Sequence, residues 1–360
     1  MRHIALSETG LRDQIVSGPL YYSDPSSLEH DPREFSPGHP DTPERLEVLE
    51  RALAEQDWFG WERCQAPPAT EAELELVHTR DHVVAIRELC EAGGGAIDPD
   101  TFVGRPSWVA ALHAAGGARE MTRALLEGAG TVGFCGVRPS GHHAESGRAM
   151  GFCLFNNVAV AAAAAIAEFG LERVFVIDWD VHHGNGTEEI FALRSDVLFA
   201  SLHQSPLYPG TGRLQDAGRG PGEGYTINLP VPPGTGEAEW MELFDRVLMP
   251  AAAAFEPQLV LVSAGFDAHA ADPLAECRLR TETFAIMAER LREFTAAARI
   301  PLGVVLEGGY DRTVLAEAVC TILPVLAEEA VAPPALVTPS GTSPLTERAI
   351  AQVGRWWPLA

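Results

Sequence analysis

Along the chain, short uninterrupted apolar runs alternate with longer stretches whose apolar positions recur at helical spacing. The runs cover 131–137, 173–178, 196–202, 258–264 and 302–306, and they are rich in Val, Ile, Leu and Phe. A strand that is apolar at every position is buried on both faces, which is the condition inside a parallel sheet. Helical periodicity falls at roughly 107–127, 156–169, 238–255, 281–299 and 313–327. This alternation predicts right-handed crossovers and an open α/β sheet. In such sheets the chemistry gathers beyond the carboxyl ends of the strands. An earlier helix is predicted from Thr42-Pro43-Glu44-Arg45, an N-cap followed by proline at the first helical position, with Leu46, Leu49 and Leu53 on one face.

Residues 1–42 are polar and predict surface loop, and no repeat of 20–50 residues is present. Residues 330–344, rich in Pro, Ser and Thr, predict a linker to a short C-terminal helix that ends in Trp356-Trp357-Pro358. The expected organisation is therefore an N-terminal loop segment 1–38, a body 39–329, and a linker with a short helix at 330–360. That helix docks either on the body, the simpler expectation, or on another subunit, so a homo-oligomer stays open.

At 360 residues and 46% apolar content the chain can bury a large core, as two average domains or as one large α/β domain. Its 26 Lys plus Arg against 50 Asp plus Glu give a formal net charge of −24. Nucleic-acid binding needs cations against phosphate, so direct binding is disfavoured. The charge fits a soluble protein and is compatible with basic substrates such as lysine-rich peptides or polyamines. The N-terminus lacks the apolar region of a signal peptide, and the stretch 158–167 is too short to span a bilayer, so no membrane role is expected. Six cysteines without a C-x-x-C pair read as reduced thiols of a cytoplasmic protein, and a Cys-based zinc site is disfavoured.

The chemistry-bearing residues stand at the ends of the apolar runs. The run VFVID leads into Asp178-Trp179-Asp180-Val181-His182-His183-Gly184-Asn185. Residues two apart in an extended chain share a face, so Asp178, Asp180 and His182 are expected to converge. Two acids and an imidazole are costly to hold together unless a cation neutralises them, and their donor atoms suit a divalent metal of the zinc type. LVLVSA ends in Gly265-Phe266-Asp267, whose acid is a natural third ligand. Three protein ligands leave a position open for water, as a catalytic zinc requires. TVGFCGV leads to Gly141-His142-His143, candidates for proton transfer, although one of them can also be read as a ligand; Asp178 and Asn185 are the available partners. LGVVL ends in Glu307-Gly308-Gly309-Tyr310, where a phenol can donate to a developing oxyanion. Together these parts describe metal-assisted hydrolysis of an amide.

The segments RPSGHHAE (138–145), GFCLFNNVAVAA (151–162), DWDVHHGNGTEEIF (178–191), SLHQSPLYPGTG (201–212), SAGFDAHAADPL (263–274) and EGGYD (307–311) closely resemble the zinc-dependent histone deacetylase family, in its class II and bacterial histone-deacetylase-like amidohydrolase branch. The resemblance covers about residues 39–326. It implies the arginase–deacetylase α/β fold, one domain around a mostly parallel eight-stranded sheet. It implies one Zn²⁺ held by Asp180, His182 and Asp267, with His143 as general base and acid, His142 as its electrostatic partner held by Asp178, Asn185 as the neutral partner of His143, and Tyr310 as oxyanion donor. It implies a tunnel for an acyl-lysine chain lined by Gly151, Phe152 and Tyr208; Tyr208 departs from the usual Phe, which bears on tunnel polarity and acyl preference. It further implies structural K⁺ at an inner site of Asp178, Asp180, His182, Ser201 and Leu202, and at an outer site of backbone oxygens from Phe191, Arg194, Val197 and Tyr225.

Two departures narrow the expectation. Arginase relatives carry a further metal-binding Asp where this chain has His269, so a single metal is expected. Eukaryotic polyamine-selective relatives carry Glu where this chain has Leu274, which favours a neutral rim. The expected partner is an acyl-lysine protein or peptide, with an acetylated small amine, as in acetylpolyamine amidohydrolases, as the rival. An amidohydrolase of acetoin utilisation or secondary metabolism also fits the superfamily. A catalytically silent acyl-lysine binding module is disfavoured because Tyr310 is present.

Overall fold

The computed structural model describes residues 18–332 and 341–359. Its strands are β1 (Leu20–Ser23), β2 (Glu62–Gln65), β3 (Gly94–Ala96), β4 (Phe102–Gly104), β5 (Gly133–Cys135), β6 (Val174–Asp178), β7 (Val197–Gln204), β8 (Thr226–Val231), β9 (Leu259–Ala264) and β10 (Leu302–Leu306). Eight of them form one parallel sheet in the order β2-β1-β5-β10-β9-β6-β7-β8, while β3 and β4 form a small antiparallel hairpin. The five apolar runs are the five consecutive strands β5, β10, β9, β6 and β7.

Alternate side chains of these strands serve two cores. Ile177, Val262, Val304 and Leu306 point to one face, packed with the helices Glu44–Glu55, Thr281–Ala298 and Arg312–Leu326. Val176, Leu261 and Val305 point to the other, packed with Ser107–Leu126 and Asn157–Phe169. The second pair of helices lies close because its contact faces are alanine and glycine. On the helix Ser107–Leu126 a Cβ at Gly116 would come within 2.1 Å of the Pro67 carbonyl oxygen in the loop after β2, so only glycine fits there.

The N-terminal segment is not all loop. Leu20-Tyr21-Tyr22-Ser23 is a sheet strand between β2 and β5, and it carries a fully buried Tyr21 stacked on Phe134 at 5.5 Å between ring centroids. Four residues are too few to produce a periodic signal; partners distant in sequence make the strand. The edge strand β2 was not foreseen because it is mostly exposed and reads ERCQ, and β8 because it reads TINLPV with a proline. Both polar character and proline suit strands at a sheet edge. The first predicted helix begins at Glu44 with no side-chain cap, so Thr42 does not act as one.

The C-terminal helix Pro344–Val353 is capped by Ser343 and packs along the edge strand β8. Beyond it, Trp357 Nε1 donates to the Gly224 carbonyl at 2.7 Å, and its ring meets Tyr225 and Phe255 edge-on. The tail thus docks on its own body. Most of the expected linker, residues 333–340, lies outside the described residues, as does much of the N-terminal segment, 1–17. Among the described residues no helix is long and apolar enough to cross a membrane.

Leu261 is fully buried in the middle of the sheet. Replacing it by Ala is expected to lower unfolding free energy by about 2–5 kcal/mol, through lost burial and a residual cavity. Denaturant unfolding monitored by circular dichroism measures this, and a loss below about 1 kcal/mol would contradict the packing described.

Candidate active site

The strand order explains why four distant segments meet. β5, β10, β9 and β6 are consecutive neighbours in the sheet. Their carboxyl ends deliver, respectively, the two adjacent histidines, Tyr310, Asp267, and the pair Asp180 and His182.

Pairing along β6 stops at Asp178, so the alternation rule stops there too. The chain then turns on its own carboxylates: Asp178 Oδ1 accepts from the Asp180 N–H at 3.1 Å, and Asp180 Oδ1 accepts from the His182 N–H at 2.9 Å. Such turns are what aspartate makes with a backbone N–H two residues on. They separate the three residues expected to converge. Asp178 is diverted to His142, while Asp180 and His182 join Asp267. His182 Nδ1 lies 3.0 Å from Asp180 Oδ1 and 3.2 Å from Asp267 Oδ2, and one donor atom from each of the three falls within 4.8 Å of the others. The other carboxylate oxygens are occupied: Val181 N–H donates to Asp267 Oδ1 at 2.9 Å and Gly308 N–H to Asp180 Oδ2 at 2.8 Å. A Cβ on Gly308 would strike Asp267 Oδ2 at 2.0 Å, so glycine is obligatory where this strand end passes the cluster.

The electrostatics of the trio call for a cation. Burial opposes a charge on His182, yet the hydrogen bonds and charges of Asp180 and Asp267 raise its pKa to about 10. A divalent ion at the same point would satisfy both carboxylates and take the imidazole as a neutral ligand. The donor set of two oxygens and one nitrogen fits a zinc-type metal.

The two adjacent histidines have different partners. His142 Nδ1 meets Asp178 Oδ2 at 3.0 Å, and His143 Nδ1 meets Asn185 Oδ1 at 2.8 Å. Burial disfavours charge on His142, but Asp178, Asp180 and Glu307 outweigh it and hold its pKa well above the usual value. Burial and then the neighbouring His142 and His182 push His143 well below its usual value. The surroundings therefore favour the charged form of one imidazole and the neutral form of the other, with the ring centroids 4.0 Å apart.

Around this centre, Tyr208 stands edge-on to His143 at 5.1 Å, and Phe152 stands edge-on to Tyr310 at 5.9 Å. Gly151 has φ +57°, and a Cβ there would reach His143 Cδ2 at 2.4 Å and Tyr208 Cε1 at 2.9 Å. Phe152 takes φ +68°, unusual for a residue with a side chain; its N–H donates to Thr101 Oγ1 at 3.2 Å, and its ring packs on His39. Burial of Tyr208, followed by the charges of Asp100 and Asp98, raises its hydroxyl pKa. Leu274 is partly buried, and its N–H donates to Asp272 Oδ1 at 2.9 Å. His269 turns aside, accepting from the Ala271 N–H at 3.1 Å, and takes no part in the cluster.

Several residues at the site carry no sign in the sequence other than their position. Arg45 and Arg138 are fully buried and share Asp41 Oδ1, each at 2.7 Å. Arg45 also donates to the carbonyls of Gly309 and Glu307 at 2.7 and 2.6 Å, with its guanidinium carbon 4.8 Å from the Tyr310 ring centroid. The Asp272 carboxylate receives the Tyr310 N–H at 2.7 Å. Glu307 receives the N–H groups of Gly141 and His142 at 2.7 and 3.2 Å and the Ser263 hydroxyl at 3.0 Å; burial raises its pKa to about 7. The available sign was position: acids and arginines adjoining the glycine-rich strand ends.

Of the residues considered for monovalent cations, Ser201 lies in register with Asp178 across β6 and β7, with Leu202 next to it. Ser201 Oγ also contacts His203 Nδ1 at 2.9 Å. Phe191 closes a short helix; its carbonyl accepts from the Arg194 N–H at 2.9 Å, and the Tyr225 carbonyl accepts from the Phe199 N–H at 2.9 Å. Val197 opens β7.

Comparison with known proteins identifies a family. The histone deacetylase domain model matches residues 39–326. The chain is 41% identical to a histone deacetylase-like amidohydrolase of Pseudomonas aeruginosa over 279 residues, 76% of this chain and 73% of that protein. It is 41% identical to a probable deacetylase of Archaeoglobus fulgidus over 303 residues, 82% of each. The crystal structure of the HDA15 HD domain superposes with a TM-score of 0.88 at 34% identity, covering 96% of both chains. With the family's domain spanning most of its length, this chain belongs to the histone deacetylase family of deacetylases and amidohydrolases.

Proposed function

We propose that the chain is a zinc-dependent hydrolase that removes acetyl or other short acyl groups from lysine side chains of proteins or peptides. The observation that carries this reading is the buried meeting of Asp180, His182 and Asp267, with the His143 ring 5.9 Å from that of His182 and the Tyr310 hydroxyl within the field of both acids. Those three residues would hold the ion, which when bound polarises the amide carbonyl and acidifies water. The inner and outer oxygen sets around Asp178 and Ser201, and around Phe191, Arg194, Val197 and Tyr225, would hold monovalent cations of the potassium type.

The chain's own groups supply the rest. His143 takes the proton from water through Nε2, because Nδ1 is engaged by Asn185, and returns a proton to the leaving amine. His142, held charged by Asp178, adds positive potential where negative charge develops. The Tyr310 hydroxyl donates to the oxyanion; burial raises its pKa, so it acts as a donor without losing its proton. Arg45 and Asp272 hold the Tyr310 backbone for that task. The Tyr208 ring beside His143 and the Phe152 ring beside Tyr310 would offer apolar faces to an aliphatic lysine stem and help exclude water from the reacting bond.

An acetylpolyamine substrate is the second reading, favoured by the net charge of −24 and by the acidic pair Asp98 and Asp100 near Tyr208. A panel of acyl-lysine peptides and acylated polyamines, assayed with and without a hydroxamate chelator, separates the two. Faster turnover of the peptides, abolished by hydroxamate, is expected. Faster turnover of acetylspermidine would move the assignment to polyamines, and insensitivity to the chelator would remove the metal from the reaction.

Tyr310→Phe is expected to lower kcat on the order of 10²-fold with little change in KM; unchanged kcat would remove the phenol from catalysis. His143→Ala should abolish turnover yet retain zinc, whereas Asp180→Ala should lose zinc, both read by elemental analysis of purified protein. Loss of zinc from the first variant, or full zinc in the second, would reassign the ligands.

A further inference from the structure

We propose that Glu145 is a positioning residue: its carboxylate fixes which way the Asn185 amide faces, and the amide fixes which nitrogen of His143 carries the proton. The importance of this for turnover rests on the deacylase reading above; the hydrogen-bond arrangement itself stands apart from it.

Asn185 offers an accepting oxygen on one side and a donating NH2 on the other. The oxygen faces His143 Nδ1 at 2.8 Å. The NH2 faces three acceptors: Glu145 Oε1 at 2.9 Å, the His143 carbonyl at 3.4 Å and Met150 Sδ at 3.4 Å. Turning the amide over would set its oxygen against a carboxylate and a carbonyl, which is repulsive. With the amide in the observed sense, Nδ1 of His143 must be the N–H, and Nε2 keeps the lone pair that a general base requires. Without the Glu145 carboxylate, the contacts left on the NH2 side are a carbonyl and a thioether at 3.4 Å, both weak. The reversed amide then becomes competitive. It would donate to Nδ1 and leave the proton on Nε2, where it blocks base chemistry. The neighbouring pair needs no such device, since the Asp178 carboxylate facing His142 only accepts.

The backbone of Glu145 is anchored independently of its side chain. Its N–H donates to the Arg148 carbonyl at 2.9 Å, and its own carbonyl lies 3.0 Å from His78 Nδ1. The side chain, with Asn185, lines an open cavity of about 350 Å³, so replacing it leaves the core packing untouched. The same geometry carries a reciprocal consequence. An aspartate at position 185 would face Glu145 as a second negative charge, and it becomes tolerable once position 145 can donate a hydrogen bond.

The test uses full-length, zinc-loaded protein and an acetyl-lysine peptide. Glu145→Ala is expected to lower kcat about tenfold or more with KM within about twofold, while Glu145→Gln, which keeps an accepting oxygen, stays within about threefold of the parent. Asn185→Asp should lower kcat, and adding Glu145→Gln to it should recover about fivefold or more, a coupling that a double-mutant cycle reads. Imidazole ¹⁵N NMR should place the His143 proton on Nδ1 in the parent and shift it towards Nε2 in Glu145→Ala. Unchanged kcat and unchanged ¹⁵N signals in Glu145→Ala would overturn the proposal. So would equal losses in the Ala and Gln variants accompanied by a lower Tm, since that is a general structural effect. If the parent hydrolysed no acyl peptide, the deacylase reading would fail, and the ¹⁵N signals would still decide the role of Glu145.

Discussion

Two buried carboxylates, Asp180 and Asp267, face one imidazole at the carboxyl edge of a parallel sheet, and the site is arranged around the cost of that arrangement. Uncompensated buried charge is expensive, so such a cluster persists only where the surrounding structure holds it and a cation repays it. The surrounding structure does hold it. Each acid accepts a backbone N–H from a different segment, Val181 or Gly308, and the approaching strand end is glycine because no side chain fits. The ligands follow the ends of two adjacent strands, β6 and β9, so the sheet brings the two segments together and the hydrogen-bonded turns after β6 place Asp180 and His182.

A second buried layer fixes the reacting groups around that point. The chain contains no lysine, so the permanently charged cations in its interior are guanidinium groups. Arg45 and Arg138 show what that geometry permits. Between them they reach Asp41 and the carbonyls of Ser27, His30, Asp41, Glu307 and Gly309, which ties the N-terminal segment, the first long helix and the Tyr310 loop into one unit. A planar fork with several fixed donors can do this, whereas a single ammonium cannot. Tyr310 is therefore less mobile than its two preceding glycines suggest when they are read in sequence.

What the sequence made legible follows the same physics. The central strands stood out because burial on both faces demands apolar residues at every position, as in Val174–Asp178 and Leu259–Ala264. β1 stayed hidden because four residues in a polar segment carry no period, and β2 and β8 because edge strands tolerate charge and proline. The strand-end acids and histidines were visible by density: two aspartates and two histidines within the six residues from Asp178 to His183 have few structural explanations. Asp41, Arg45, Arg138, Asp272 and Glu307 were not, because a buried arginine and an exposed one are the same letter. Only the fold reveals that Arg45 ends beneath Tyr310.

The expectation that Asp178, Asp180 and His182 share one face failed in an informative way. Alternation holds only while the backbone is extended, and here it ends at Asp178, where each aspartate folds the chain onto its own carboxylate. Had the strand continued, three ligands would have come from one segment and His142 would have lacked its acid. The turns instead split the segment's charge between two tasks. Asp178 keeps one histidine charged, while Asp180 and His182 pair with Asp267 to attract a cation. Two adjacent histidines are thereby pushed in opposite directions, one towards its charged form by neighbouring acids and the other towards its neutral form by burial and by the imidazoles beside it. That difference gives the site a fixed positive group and a free base within 4.0 Å of each other.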